Sequence, residues 1–184
     1  MTDRFPDDPP SPFVVRWATL MAPGLPPRRR ALDAAMGRGR HAHMLARLGL
    51  RVFGVDANYE AVRAARDRAA ASGLAIGAWC ADLTVSPLPT DRFEMLVVVR
   101  YLQRDLLTAI RDAITPNGVV IYETFTVNQR ALGFGPKSAD HLLEPGELRR
   151  SFDGLDILFY EEVSAPEAVA RMVARRSGQD GMSG

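Results

Sequence analysis

Residues 93–99, FEMLVVV, are apolar almost without interruption. The run is far too short to cross a membrane, which takes ~20 residues, and its length is that of a strand. Near-continuous apolarity predicts burial on both faces. That is the condition of a strand inside a parallel sheet, whose crossover helices cover both sides. A chain built around such a strand must supply those helices, and this one does. Short apolar runs at 30–34, 51–55, 75–80 and 118–125 alternate with amphipathic stretches at 39–48, 58–71 and 105–114. The first stretch puts Ala42, Leu45 and Leu48 on one helical stripe, the second Val62, Ala65 and Ala69, the third Leu106, Leu107, Ile110 and Ile114.

Strands alternating with helices predict a doubly wound parallel sheet. A first helix is expected at 13–21, closed by Pro23 and Gly24. After Phe125 the rhythm breaks. Residues 126–145 hold Gly133, Gly135, Pro136 and Pro145 with little periodicity, and read as a long loop of the kind that often serves function. A short helix at 147–152 follows, then strands at 155–161 and 168–175. So few residues separate these two that they pair as an antiparallel hairpin. The expected fold is α/β, a doubly wound, mostly parallel seven-stranded sheet with a C-terminal antiparallel hairpin.

At 184 residues there is room for one domain, expected over 13–176 between a flexible, acidic, Pro-rich arm (1–12) and a flexible tail (177–184). The opening MTDRFPDDPP has no basic segment followed by an apolar one, so it does not read as a secretory signal. The single Cys, Cys80, excludes an internal disulfide and a Cys-rich zinc site and suggests a reducing cytoplasm. It reads as a small core residue. The formal net charge is +1, from 23 Lys+Arg against 22 Asp+Glu, which speaks against a dedicated nucleic-acid binder. Lys137 is the only Lys, so the basic residues are otherwise all Arg. The expected partner is a small-molecule substrate, with no membrane and no nucleic acid, for a monomer or homodimer.

The most informative local feature is ALDAAMGRGR (31–40): a strand ending in Asp33, a turn of small residues, then a helix. Small residues let the backbone approach a ligand closely, and the helix start offers unpaired N–H groups. The third Gly of a dinucleotide-binding turn is out of place, and an acid at the strand end would repel a pyrophosphate. Asp56 ends the second strand, where a carboxylate can accept ribose hydroxyls. Asp82 follows the third, where it can accept an adenine amine while the Leu83 N–H meets a ring nitrogen. Three acids at three successive strand ends describe a neutral nucleoside with a cationic tail. That is a poor NAD site and a good S-adenosylmethionine site.

ALDAAMGRGRHA, GVDAN, CADL, FEMLVVVRYLQR and GVVIYETF, in this order, resemble the class I S-adenosylmethionine-dependent methyltransferases. GRGRHA, RYLQR, YETF and LLEPGEL resemble more closely the TehB-like (tellurite-resistance-type) branch of small methyltransferases. The resemblance runs from about residue 12 to 176 and implies a Rossmann-like fold with S-adenosylmethionine as cofactor. It implies that Asp33, Ala35, Met36, Gly37, Arg38 and Gly39 line the methionine and ribose part. Asp56 and Ala57 would hold the ribose, Asp82 and Leu83 the adenine, and Val99 and Arg100 would face the methionine amino group. Ala35 departs from the Gly, and Glu94 from the Asp, that are usual in the class.

Open α/β sheets bind ligands at the carboxyl ends of their strands. Arg100, Tyr101, Arg104 and Glu123 are therefore the candidate catalytic residues. Arg40, His41, Tyr122, Phe125 and Phe134 are the candidate substrate-binding ones. Glu123 on an apolar strand needs a partner, for which Arg100 is the candidate. An Arg-lined mouth suits a small anionic acceptor, and the branch resemblance implies one of oxyanion or thiol type. His41 and His43 point apart on a helix, so no metal is expected. No N-P-P-[FYW]-like segment follows the fourth strand, which argues against base flipping. The alternatives are a methyltransferase acting on a protein or nucleic acid, and a non-catalytic S-adenosylmethionine-binding protein.

Overall fold

The structure, a computed structural model, describes residues 9–26 and 29–178. In chain order the elements are α1 (Pro12–Met21), β1 (Arg30–Ala34), α2 (Arg40–Arg47), β2 (Arg51–Asp56), α3 (Tyr59–Ala71), β3 (Ile76–Cys80), β4 (Phe93–Val99), α4 (Leu106–Ala113), β5 (Ile114–Phe125), α5 (Glu147–Ser151), β6 (Asp156–Val163) and β7 (Val169–Arg175). They form one seven-stranded sheet in the order β3-β2-β1-β4-β5-β7-β6. The first five strands are parallel, and β7 runs antiparallel to both β5 and β6. The expected parallel run and terminal hairpin are both present.

The near-continuous apolarity of β4 has the cause expected of it. Every residue of the strand is buried. Met95, Val97 and Val99 pack with Phe13, Val14, Ala42 and Leu45 of α1 and α2. Leu96 and Val98 point the other way, into Leu106, Leu107 and Ile110 of α4, Leu148 of α5 and Phe152 just after it. Alternate side chains of one strand thus serve two cores. At its N-terminal side Glu94 is held by the Arg30 guanidinium at 2.7 Å.

Two glycines set how closely the layers approach. A Cβ on Gly54 of β2 would lie 2.1 Å from the Met36 thioether sulfur, and one on Gly39 would lie 2.9 Å from the Ala65 Cβ. Met36, in the β1–α2 turn, therefore lies over Gly54 and packs with Val62 and Ala65 of α3. Gly39 also has φ +75°, which favours glycine.

Some boundaries differ from those read in the sequence. Strand β5 starts at Ile114, which pairs with Phe93 ahead of a register shift. The TPNG turn lies inside the strand, with Asn117 at φ +64°. The expected loop 126–145 contains short 3-10 turns at Val127–Leu132 and Ala139–His141. Cys80, expected in the core, is exposed. It ends β3, an edge strand whose burial is only partial, and its Sγ lies 3.5 Å from the Ala57 carbonyl. Of the expected arm, residues 1–8 lie outside the described residues, as do residues 179–184 of the expected tail. No helix among the described residues is long and apolar enough to cross a membrane.

Candidate functional site

The chain runs outward from β1 through β2 to β3, then crosses back to place β4 on the other side of β1. The reversal opens a crevice at the carboxyl ends of β1 and β4, the place where open α/β sheets hold ligands. Asp33, Asp56 and Asp82 lie along that edge.

Asp33 is 1% exposed. Its Oδ2 accepts the Ala42 N–H at 2.8 Å. It thereby caps α2, whose own N-cap residue, Gly39, has no side chain to do so. Burial pushes the carboxyl up to about 7, against the smaller pull of the Ala42 N–H and the Arg40 charge. Asp56 is partly exposed. It accepts the Gly37 N–H through Oδ2 and the Asn58 N–H through Oδ1, both at 2.8 Å. It thus ties the Gly-containing turn to the end of β2. Asn58 supplies the cap of α3, accepting from the Glu60 and Ala61 N–H groups. Asp82 is exposed, and its Oδ1 takes the Thr84 hydroxyl and N–H at 2.7 and 2.8 Å. Those bonds, the hydroxyl first, hold it below the usual carboxylate range. Leu83 beside it is buried. The Tyr101 hydroxyl is pushed up by burial and then by the charges of Asp82 and Asp56.

Two non-glycine residues take positive φ at the crevice: Ala35 at +53°, just after β1, and Arg100 at +55°, just after β4. Non-Gly residues in this region cluster at ligand sites when the surrounding structure enforces them. Ala34 and Val98 are directly paired, so the two strained residues flank the same opening.

Several candidate residues are engaged with the protein itself. Arg100 donates to Glu167, from one nitrogen to both carboxylate oxygens at 2.8 and 3.1 Å, and lies over the Phe125 ring. Glu123, expected to pair with Arg100, is held instead by Arg171 at 2.6 Å. The reason is register: Glu123, Arg171 and Glu161 stand directly opposite one another on β5, β7 and β6, and Arg171 bridges both acids. Arg104 forms an ion pair with Glu147 at 2.6 Å and donates to the Ala139 and Leu142 carbonyls. Tyr122 is fully buried and donates its hydroxyl to the Tyr101 carbonyl at 2.9 Å, supporting the segment after β4 from below. His41 is buried, and its Nε2 accepts the Ser11 N–H at 3.1 Å. Arg40 donates to the Pro9 carbonyl. Both residues therefore hold the segment leading into α1. Phe125 is buried with Leu142 and Val169, and Phe134 is 48% exposed on the long loop. Gln129, fully buried, accepts the Ala168 N–H at 2.7 Å and donates to the Phe134 carbonyl, so it links that loop to the β6–β7 hairpin.

Glu167, Arg171 and Gln129 are not singled out in the sequence, and Glu147 appears there only within LLEPGEL, with no partner assigned. Their roles depend on cross-strand register and loop packing, and no local motif marks either. A separate groove of about 430 Å³ lies at the start of β2 and β3 against the end of α3, lined by residues such as Arg51, Arg66 and Ile76. It is at the opposite end of the strands from the acids. Among the described residues no cluster of His, Cys, Asp and Glu could hold a metal ion.

Residues 31–118 match the family model described as "Methyltransferase domain". Two curated relatives are ubiquinone biosynthesis O-methyltransferases. The one from Bradyrhizobium diazoefficiens is 28% identical over 120 residues, 62% of this chain and 47% of that protein. The one from Cereibacter sphaeroides is 29% identical over 119 residues, with 62% and 48% covered. The chain thus spans about half the length of these relatives. Among solved structures, TehB from Haemophilus influenzae superposes with TM-score 0.72 at 16% identity, covering 89% of this chain and 61% of that one. The 4+2 cyclase SpnF superposes equally well, at 19% identity, with 89% and 81% covered. At these identities the superpositions establish the fold alone. The family match spans the strands that carry all three acids, and the sheet around it has the fold of the group. Residues 31–118 thus match a methyltransferase domain, and the chain shares the fold of solved S-adenosylmethionine-dependent methyltransferases.

Proposed function

We propose that this protein transfers a methyl group from S-adenosylmethionine to a hydroxyl of a small, uncharged acceptor. The observation that carries the cofactor assignment is the row of carboxylates at the ends of β1, β2 and β3. Asp56 and Asp82 each keep accepting capacity beyond the backbone and Thr84 bonds they already make. They suit the ribose hydroxyls and the adenine amine. Asp33 is buried with no cation among the described residues in hydrogen-bond contact, and its carboxyl stands raised to about 7. A cationic tail beside it would supply the missing charge. The donor set thus fits the cofactor, which when bound supplies a sulfonium methyl for in-line displacement. The chain's own part is to hold the two reactants aligned.

The acceptor assignment rests on the state of the arginines. None of Arg38, Arg40, Arg100 and Arg104 is without a partner, and Arg100 and Arg104 are each matched by a carboxylate. That favours an uncharged acceptor over the anionic one expected from sequence. The names of the two relatives favour oxygen as the nucleophile. His41 is unsuited to act as a base: burial pushes it down to about 3, and its acceptor nitrogen is occupied.

Calorimetry with S-adenosylhomocysteine tests the cofactor site. Asp56→Ala and Asp82→Ala are each expected to weaken binding by about tenfold or more; unchanged affinity in both refutes the site. Transfer of labelled methyl to neutral phenols, set against selenite and small thiols, tests the acceptor. Turnover confined to the anionic or thiol arm refutes the hydroxyl reading.

A further inference from the structure

The end of β4 is built under constraint. The Arg100 N–H donates to the Glu123 carbonyl at 2.8 Å, continuing the ladder between β4 and β5. The backbone then turns away at φ +55°, a conformation that L side chains rarely adopt. Something must hold that turn. The guanidinium folds over the Phe125 ring, 5.9 Å from its centroid, and reaches Glu167. The two side chains are only 27% and 31% exposed, so the pair is partly shielded from solvent.

Glu167 is itself firmly placed. It sits where the β6–β7 hairpin enters β7, next to Ala168. The Ala168 N–H donates to the buried Gln129 side chain at 2.7 Å, and its carbonyl accepts the Thr126 N–H at 2.9 Å. The carboxylate is therefore anchored through backbone fixed to the start of the long loop, and it acts on a strand terminus far away in sequence.

The nucleoside end of the cofactor is assigned above to Asp56 at the end of β2 and Asp82 just past β3. Its tail then lies across the crevice between β1 and β4, which Ala35 and Arg100 flank. We propose that Glu167 is a positioning residue: by holding the Arg100 guanidinium it keeps the strained β4 terminus in the shape that receives the aminocarboxypropyl tail of S-adenosylmethionine. The proposal rests on the cofactor reading given above.

The test compares two ligands that differ only beyond the thioether sulfur. S-adenosylhomocysteine carries the aminocarboxypropyl tail, and 5′-methylthioadenosine has a methyl group in its place. By calorimetry, Glu167→Ala is expected to weaken S-adenosylhomocysteine by about tenfold while leaving 5′-methylthioadenosine within about twofold. Glu167→Gln, which keeps a hydrogen-bond acceptor, should fall between Glu167→Ala and the wild type. Glycine adopts positive φ without strain, so in an Arg100→Gly background the further change Glu167→Ala should cost less than about twofold. An unchanged S-adenosylhomocysteine affinity in Glu167→Ala overturns the proposal. So does equal weakening of both ligands, which marks a merely structural role, and so does a full tenfold loss in the Gly background. A wild-type protein that binds neither ligand overturns the cofactor reading itself.

Discussion

On the proposed cofactor reading, Asp33 sets stability against function. It is buried, it caps α2, and burial raises its carboxyl to about 7. An unfolded Asp titrates near 4. Between those values the folded chain holds a proton that the unfolded chain has released, so stability declines as pH rises from about 4 through 7. Cofactor binding runs the other way, because a cationic tail favours the carboxylate. Affinity for S-adenosylmethionine is expected to rise about tenfold from pH 6 to pH 8. Asp33→Asn, which keeps an acceptor for the Ala42 N–H, should lose that slope and bind more weakly, yet melt higher than the wild type at pH 8. Calorimetry and thermal melts at both pH values check this. Ala35 presents a second local tension, an L residue at φ +53°. The left-handed region costs a non-Gly residue about 1–2 kcal/mol, and glycine's extra chain entropy offsets only part of this. Ala35→Gly is expected to stabilise the fold by about 0.5–1 kcal/mol in urea unfolding.

The long loop shows what could and could not be read ahead of the structure. Residues 126–145 lack periodicity, so a loop was expected, and a loop with short turns is present. What ties it down could not be read. Arg104 reaches the Ala139 and Leu142 carbonyls and the Glu147 carboxylate, and none of these is marked in sequence as its partner. Pattern and periodicity report on a segment's own burial, which is why β4, the βα alternation and the terminal hairpin were legible. They do not report which residue of one strand stands opposite which of another. Glu123 was therefore assigned the wrong arginine, because its neighbour Arg171 is fixed by the antiparallel register of β5 with β7. The three strand-end acids were legible because each belongs to its own strand's terminus. If Arg104 is the loop's main tether, Arg104→Ala should loosen the loop more than it lowers global stability. The pair is partly exposed, so the loss in stability is expected to be about 1 kcal/mol. Trypsin cleavage at Lys137, the only lysine, is expected to speed up several-fold. Mass spectrometry of the fragments measures it.

The arginine excess takes on a different meaning once the charges are paired. Arg30–Glu94, Arg100–Glu167, Arg104–Glu147, Arg171 with Glu123 and Glu161, and Arg176–Asp91 cross-link strands, loops and hairpin. These guanidiniums are matched to acids within the fold, in keeping with a near-neutral chain. On the proposed cofactor reading, the acids at the ends of β1, β2 and β3 set what the fold accepts. A ligand bringing hydroxyls, an amine and a positive tail meets complementary groups. One bringing a pyrophosphate meets three carboxylates. Because such a ligand binds the folded chain alone, its affinity appears as stability, about 2.7 kcal/mol at a concentration one hundred times Kd. For a domain of this size that raises Tm by about 5–10 °C. Saturating S-adenosylhomocysteine is expected to produce that shift and NAD none, in the same buffer and at the same pH. A shift with NAD would mean that the carboxylates do not face the ligand as argued, since their charge is the feature of the crevice that separates the two cofactors.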